Sequence, residues 1–457
     1  MAATKEDVRD FEIVINEAFR LRELLNESYK LYEADFENKF DSMASTINIP
    51  RDILDRNKNE HNFQIHLSSL AQKKIFEITS RQIKRNKWNY HLTVNEHIVD
   101  IKDSLYIHVM QEKEFDLRGC TLLLSRAYKR AKYKMKEISY FLPINASGIS
   151  KNNDIKIGPV KITHKDNIYE KLDDKERLES FTKNDHSSEY SGFLCIDIPT
   201  CSEESSKKRA QSVADFIFGV IKVFSVAYQV NTKQLSLNKN PSENRINHHI
   251  ERTEGKFYVC GSVEYSRNFG EFWAALNDDL NSDLGVIIDK LTKCSIVPEE
   301  KNNLSDRLID AFIWFGDASR DNNEHSQVVK LVTAMERLVT LSLEKKDKNL
   351  TQRFVSRVSS SIAIFHGDLN KWKLEAKEIY NLRSNLVHGS QSLYKTYDIP
   401  IDFYPFRLAC FSILSSCIYF DQLGLNSINY EEKLKIMYRN IEEHCAYEKY
   451  KKPIPLH

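Results

Sequence analysis

Between residue 4 and about residue 40 the apolar positions Val8, Phe11, Ile15, Phe19, Leu25, Tyr29, Tyr32 and Phe36 recur at the spacing of one long amphipathic helix or two shorter ones. Thr4, followed three residues later by Asp7, is a capping pair for its start. From about residue 61 the period drops to two. Phe63/Ile65/Leu67, Leu105/Ile107/Val109, Ile155/Ile157 and Phe257/Val259/Val263/Tyr265 each alternate with polar neighbours, which predicts a middle region rich in β-strands. Polar stretches at 150–154 and 238–245 read as loops. One strong helix over about 203–229 interrupts the region, with Val213, Phe216, Ile217, Val220 and Phe224 on one side.

Beyond about residue 300 the period is helical to the end. Leu308/Phe312/Phe315, Val328/Leu331/Val332/Met335, Val355/Val358/Ile362 and Trp372/Ile379/Leu382/Leu386 mark four helices; a fifth follows Pro405 and a sixth spans about 430–447. Asp368 is placed to cap the start of the fourth and Gly389 to stop it. The expected fold class is therefore α+β: an N-terminal helical segment (1–45), a β-rich region (46–295) and an all-α helical bundle (300–457).

Composition narrows the function classes. The 457 residues carry 66 Lys and Arg against 65 Asp and Glu, a net charge of +1, which excludes a protein that coats nucleic acid or an anionic membrane through bulk positive charge. Glycine is scarce, 13 residues, and none stands in the register of a dinucleotide or phosphate loop. The eight cysteines form neither a Cys-x-x-Cys pair nor a zinc-spaced Cys/His cluster, so no metal or cofactor is expected. The start lacks an apolar signal core, and the apolar stretches Phe216–Val230 and Leu408–Phe420 are shorter than a membrane span. A cytoplasmic protein with no membrane partner is the reading.

Two features carry chemistry. The run from Arg126 to Lys136 interleaves Arg126, Lys129, Arg130, Lys132 and Lys134 with Tyr128 and Tyr133, as a nucleic-acid face does; a solvated helix or strand edge accounts for it equally. In the fourth bundle helix Arg383 falls within the arc of Trp372, Ala376, Ile379, Tyr380, Leu382, Leu386 and Val387, and in the second Glu336 stands at the edge of the apolar stripe. Opposite charges on core-facing arcs need each other, because a buried, unpaired guanidinium costs several kcal/mol. Such a pair is either structural or part of a site.

The stretch EIYNLRSNLVHGS (378–390) resembles the signature helix of the HEPN superfamily: an Arg, a polar residue, three more and a His. The wider run over about 305–420 is similar to the Apea-like HEPN domain of bacterial anti-phage proteins. An Arg with a His four to six residues on recurs at several places in the chain. Only Arg383/His388 has the amphipathic helix, the terminating Gly389 and the flanking residues. The resemblance implies a HEPN helical bundle and metal-independent cleavage of RNA, tRNA being a habitual target of the family. In it a ribose 2′-hydroxyl attacks phosphorus, His388 handles a proton and Arg383 stabilises the phosphate charge. Ser384 and Asn385 would orient substrate and Glu336 would fix Arg383. The resemblance further implies a homodimer, abortive infection as the biological setting, and an N-terminal region that answers a phage-derived trigger or selects RNA. Two positions depart from the pattern: Ser384 replaces the usual Asn, Asp or His, and Ser390 stands where tyrosine-regulated toxins carry Tyr. The alternative is a catalytically silent HEPN module that binds nucleic acid or protein as a scaffold.

Overall fold

A computed structural model describes residues 2–30, 43–48, 64–145, 148–170, 191–230, 236–237, 246–253, 256–263, 270–321, 323–344, 349–390 and 405–447. The chain divides into two compact units, Met1–Ile138 with Ile198–Lys208, and Ser139–Asp197 with Arg209–His457.

The first unit begins with α1 (Lys5–Lys30), then the antiparallel strands β1 (Met43–Ile47) and β2 (Ile65–Ser68), then α2 (Ser69–Arg85), α3 (Val94–Met110) and α4 (Leu117–Lys134). Thr4 caps α1 as its spacing predicts: its Oγ1 accepts from Asp7 N at 3.2 Å, and Asp7 Oδ2 accepts from Thr4 N at 2.9 Å. Phe11 and Val14 of α1 are buried in one cluster with Ile75 and Ile78 of α2 and Leu105 of α3. Asp7 and Asp10 are buried as well. Arg81 donates to both, at 3.0 and 2.6 Å, and Arg85 to Asp7 at 2.7 Å. Burial pushes the Asp7 carboxyl up, but its bonds from Arg85, Thr4 and Arg81 outweigh that and hold it below the ordinary carboxylate range.

The alternation at Leu105/Ile107/Val109 is not a strand; all three residues belong to α3. The buried positions of α3 are His97, Asp100, Ile101, Ser104, Leu105, Tyr106 and His108, and four of the seven, His97, Asp100, Ser104 and His108, are polar and keep helical spacing. The expectation of a β-rich 46–295 is corrected accordingly: its strands are short and separated by long helices, and the protein is mixed and mostly helical.

The strands that follow are β3 (Lys136–Asn145), β4 (Ile155–Ile157) and β5 (Val160–His164), then a short helix α5 (Lys165–Tyr169), β6 (Gly192–Cys201), α6 (Glu203–Ala227) and β7 (Ser236–Leu237). They make one sheet in the order β4-β5-β6-β3-β7. A separate antiparallel ribbon pairs β8 (Ile246–Thr253) with β9 (Lys256–Val263). Phe63 and Tyr265, both named in the strand pattern, lie outside the described residues.

Helices α7 (Gly270–Leu280) and α8 (Asp283–Ile296) lead into α9 (Leu304–Arg320), α10 (Glu324–Val339), α11 (Leu350–His366), α12 (Leu369–Val387), α13 (Pro405–Leu423) and α14 (Glu431–Tyr447), the six bundle helices that the period calls for. Asp368 caps α12 by accepting from Lys371 N at 3.2 Å, and Gly389 ends it at φ +77°, a left-handed backbone that suits glycine. The carbonyl end of α10 is enclosed by three helices. Arg307 of α9 donates to the carbonyls of Arg337 and Leu338 at 3.0 Å each and of Thr340 at 2.7 Å. Arg357 of α11 donates to Val339 O at 2.8 Å, and the Tyr438 hydroxyl of α14 to Leu338 O at 3.2 Å.

The predicted inward residues of α6, Val213, Phe216, Ile217, Val220 and Phe224, are all buried. By length and composition α6 could cross a membrane, yet 72% of its apolar window is buried inside the protein, as in a core helix. It crosses α9 at two glycines. A Cβ on Gly219 would stand 2.1 Å from the Phe312 carbonyl oxygen, and one on Gly316 would stand 3.0 Å from Gly219 Cα. Gly219→Ala is therefore expected to lower stability by about 2–3 kcal/mol, through forced separation of the two helices. A urea midpoint equal to that of the parent chain would refute this crossing.

Lys222 is buried in the same helix, its Nζ 5.0 Å from the Phe218 ring centroid. Burial, reinforced by the charge of Arg320, drives its amine well below the ordinary value of 10.5. Between that depressed value and 10.5 the unfolded chain holds a proton that the folded chain lacks, so stability rises with pH across this window. Lys222→Met should keep the fold and flatten that rise, as read from urea unfolding at successive alkaline pH values.

Candidate functional site

The last two turns of α12 and the last turn of α10 bring together the charges singled out in the sequence. Arg383 Nη2 donates to Glu336 Oε2 at 3.0 Å, with 23% and 24% of the two side chains exposed. The Arg383 guanidinium also lies 5.9 Å from the centroid of the Tyr380 ring, one turn earlier on the same face. Phe354 of α11 packs on the Tyr380 ring at a centroid distance of 4.6 Å. Arg383 thus spends one donor on Glu336 while its Nε is buried without a hydrogen-bond partner, so its fork is only partly used.

His388 caps the carboxyl end of α12. Its backbone N–H donates to Ser384 O at 2.9 Å, and its side chain is exposed with no partner among the described residues. Ser384 is half-buried. Asn385 is exposed, and its carbonyl accepts from Ser390 Oγ at 3.2 Å. Val387 does not join the core arc: it is 52% exposed, beside His388. On a regular helix Arg383 and His388 diverge by about 140°, so one copy of α12 does not aim both at one point.

Electrostatics separates this pair from its neighbour in the bundle. Glu344, in the turn before α11, accepts from Arg357 at 2.8 Å and is paired with Arg353 at 2.9 Å. Burial pushes its carboxyl up, but the two guanidiniums prevail and hold it below the ordinary value. At Glu336 burial again pushes the carboxyl up, and here the Arg383 charge does not offset it, so the carboxyl stays above its ordinary value. A carboxyl raised on folding contributes stability that is present below the unfolded value and lost as pH rises through the folded one. The ionised form of Glu336 is therefore the one that the folded chain disfavours.

Of the basic run on α4, Arg126 donates to Gln111 at 3.0 Å, Arg130 to Asp103 at 2.6 Å and Lys134 to Asp100 at 2.5 Å. Lys129 and Lys132 are exposed. This run belongs to the first compact unit and Arg383/His388 to the second. The sequence reading passed over Tyr380. The signal for Tyr380 was its place three residues before Arg383, on an arc read as apolar. Among the described residues no group of three or more His, Cys, Asp or Glu is placed to hold a metal ion. No family model, curated protein or solved structure matches the chain.

The contrast between the two carboxylates gives a test. Glu336→Gln should leave stability at pH 7 within about 1 kcal/mol of the parent chain, because a half-exposed pair contributes little. Glu344→Gln should lower it by about 3 kcal/mol, because it strips the charge that compensates the buried Arg357. Urea unfolding of both variants measures the difference, and equal losses would contradict the separation of a structural pair from a site pair.

Proposed function

We propose that the chain is a metal-independent endoribonuclease of the HEPN type, acting in the cytoplasm in anti-phage defence, with Arg383 and His388 as its catalytic residues. The observation that carries this reading is the Glu336–Arg383 pair itself: a carboxyl that burial holds above its ordinary value, meeting an arginine through a single Nη2 contact while the arginine's Nε has no hydrogen-bond partner. Perturbed titratable groups cluster at functional sites. In the reaction the ribose 2′-oxygen bonds to the adjacent phosphorus as the bond from phosphorus to the 5′-oxygen breaks. The products are a 2′,3′-cyclic phosphate and a 5′-hydroxyl. Arg383 meets the charge that accumulates on the phosphoryl oxygens through its planar fork. His388, at the negative end of the α12 dipole, is disposed to carry a proton and deliver it to the leaving 5′-oxygen. Ser384 and Asn385 border the same helix end, where they would orient the ribose.

Because one helix turns Arg383 and His388 away from each other, the reading includes a homodimer in which two copies of α12 line one cleft. Val387, 52% exposed beside His388, supplies apolar surface for that contact. RNA, tRNA included, is the substrate class, and residues 46–295 select it or answer a phage-derived trigger.

A second reading has its own support. An Arg383 already paired with Glu336 and a His388 with no partner also suit a silent module that binds nucleic acid or protein without cutting. Growth arrest and RNA integrity in cells that express the parent chain, Arg383→Ala or His388→Ala, with purified protein assayed in EDTA, separate the two. A nuclease loses at least about a hundredfold in cleavage with either substitution. A scaffold leaves RNA intact in all three, and loss of cutting in EDTA alone would overturn the metal-free mechanism.

A further inference from the structure

We propose that the outward face of α4 is a contact surface for single-stranded nucleic acid, with Lys129 and Lys132 meeting phosphates and Tyr133 stacking on a base. That the strand is RNA rests on the nuclease reading; the surface itself does not. α4 carries six Lys and Arg and no Asp or Glu, in a chain that holds 66 charges of one sign and 65 of the other. The fold divides these groups between two faces. Arg130 donates to Asp103 of α3 at 2.6 Å and Lys134 to Asp100 of α3 at 2.5 Å, while Arg126 donates to Gln111 at 3.0 Å. Tyr128 stacks on Trp88 at a centroid distance of 4.8 Å. Those four side chains hold the helix in place. Lys129, Lys132 and Tyr133 are exposed and have no partner among the described residues, and Tyr133 is 85% exposed.

On a regular helix Lys129, Lys132 and Tyr133 fall within about 100° of arc and little more than one turn. Lys129 and Tyr133, four residues apart, are surface neighbours at about 5–6 Å between Cβ atoms. Arg118, also exposed, continues the line of Lys129 about 16 Å toward the start of the helix. Ammonium groups neutralise phosphates whatever the sequence, and an aromatic ring offers a face on which any unpaired base stacks. A ring this far out of the core contributes almost no burial to the fold, so packing does not account for Tyr133. In a duplex the base faces are already stacked on one another, whereas a single strand can splay one onto the ring. The long Tyr128 and Arg130 side chains show the contrast, since each is committed to a neighbouring element.

Binding is measured apart from cutting by fluorescence anisotropy of the full-length chain with a labelled 2′-O-methyl RNA of about 12 nucleotides, whose blocked 2′-oxygen cannot attack phosphorus. Lys129→Glu combined with Lys132→Glu should weaken binding at least about tenfold and lower the slope of log Kd against log salt by about 1.4, at about 0.7 for each phosphate contact on a single strand. Tyr133→Ala should weaken binding about tenfold with the slope unchanged, and Tyr133→Phe should bind like the parent chain, because stacking uses the ring and not the hydroxyl. Lys73→Glu, an exposed charge reversal on α2, should leave binding near that of the parent chain. Binding unmoved by the lysine pair or by Tyr133→Ala, a loss with Lys73→Glu as large as with Lys129→Glu alone, or binding to phosphatidylserine vesicles in place of the oligonucleotide overturns the surface. If the parent chain binds the strand through these residues and cuts no RNA, the nuclease reading falls and the surface stands. If it cuts RNA and the substitutions leave binding intact, the surface falls alone.

Discussion

The carbonyl end of α10 is the point on which the bundle depends. An α-helix leaves its last carbonyls without intrahelical partners, and such groups cannot be buried unsatisfied. Here Arg307, Arg357 and Tyr438, themselves 7%, 6% and 1% exposed, supply the missing donors from α9, α11 and α14. Two guanidiniums at a helix carboxyl end also complement its dipole. Four helices are thereby joined at one place by groups that have no alternative partner in water. Glu336 is in that last turn, and its own backbone carbonyl accepts from Thr340 N at 3.0 Å. The carboxylate that meets Arg383 stands on the most constrained backbone of the bundle, which is what a site residue requires.

The same end of α10 explains why two Glu–Arg contacts of similar length differ in kind. Arg357 serves the backbone and Glu344 at once, and Glu344 draws on a second arginine, so charge is balanced within the enclosed layer. Arg383 serves Glu336 alone and stands near the surface, where solvent screens the attraction while burial still penalises the carboxylate. Replacing a balanced pair removes a structural element. Replacing Glu336 frees Arg383 to turn, a change that the fold tolerates and that a phosphate-binding geometry does not.

Much of this arrangement was legible in the sequence, and the failures share one cause. The bundle helices, the caps at Thr4 and Asp368, the Gly389 stop and the inward face of α6 follow from apolar spacing and turn chemistry, which act locally. The strand reading at Leu105/Ile107/Val109 failed because His97, Asp100, Ser104 and His108 carry much of the helical period of α3, and a hydrophobic pattern is blind to polar residues that face inward. Asp100 is accommodated by Lys134, 34 residues on, at 2.5 Å, and His108 by the nearby Glu114 carbonyl at 2.9 Å. The opposite error occurred at Val387, an apolar residue on the predicted arc that the end of α12 leaves uncovered. The pairing of Arg383 with Glu336 was readable because each broke an apolar stripe. The Tyr380 ring beside Arg383 was not, because a tyrosine on a core arc violates no pattern.

A net charge of +1 does not argue against an RNA-cleaving site, since phosphate recognition needs a few positioned cations rather than a basic protein. The basic run on α4 makes the point from the other side. Its Arg130 and Lys134 are neutralised by Asp103 and Asp100 and Arg126 donates to the neutral Gln111, while Lys129 and Lys132 stay exposed, so only part of the charge that is conspicuous in the sequence is compensated. Arg383, a single cation in an apolar stretch, keeps donors to spare. What a charge can do for a ligand is decided by what the fold has already paired it with.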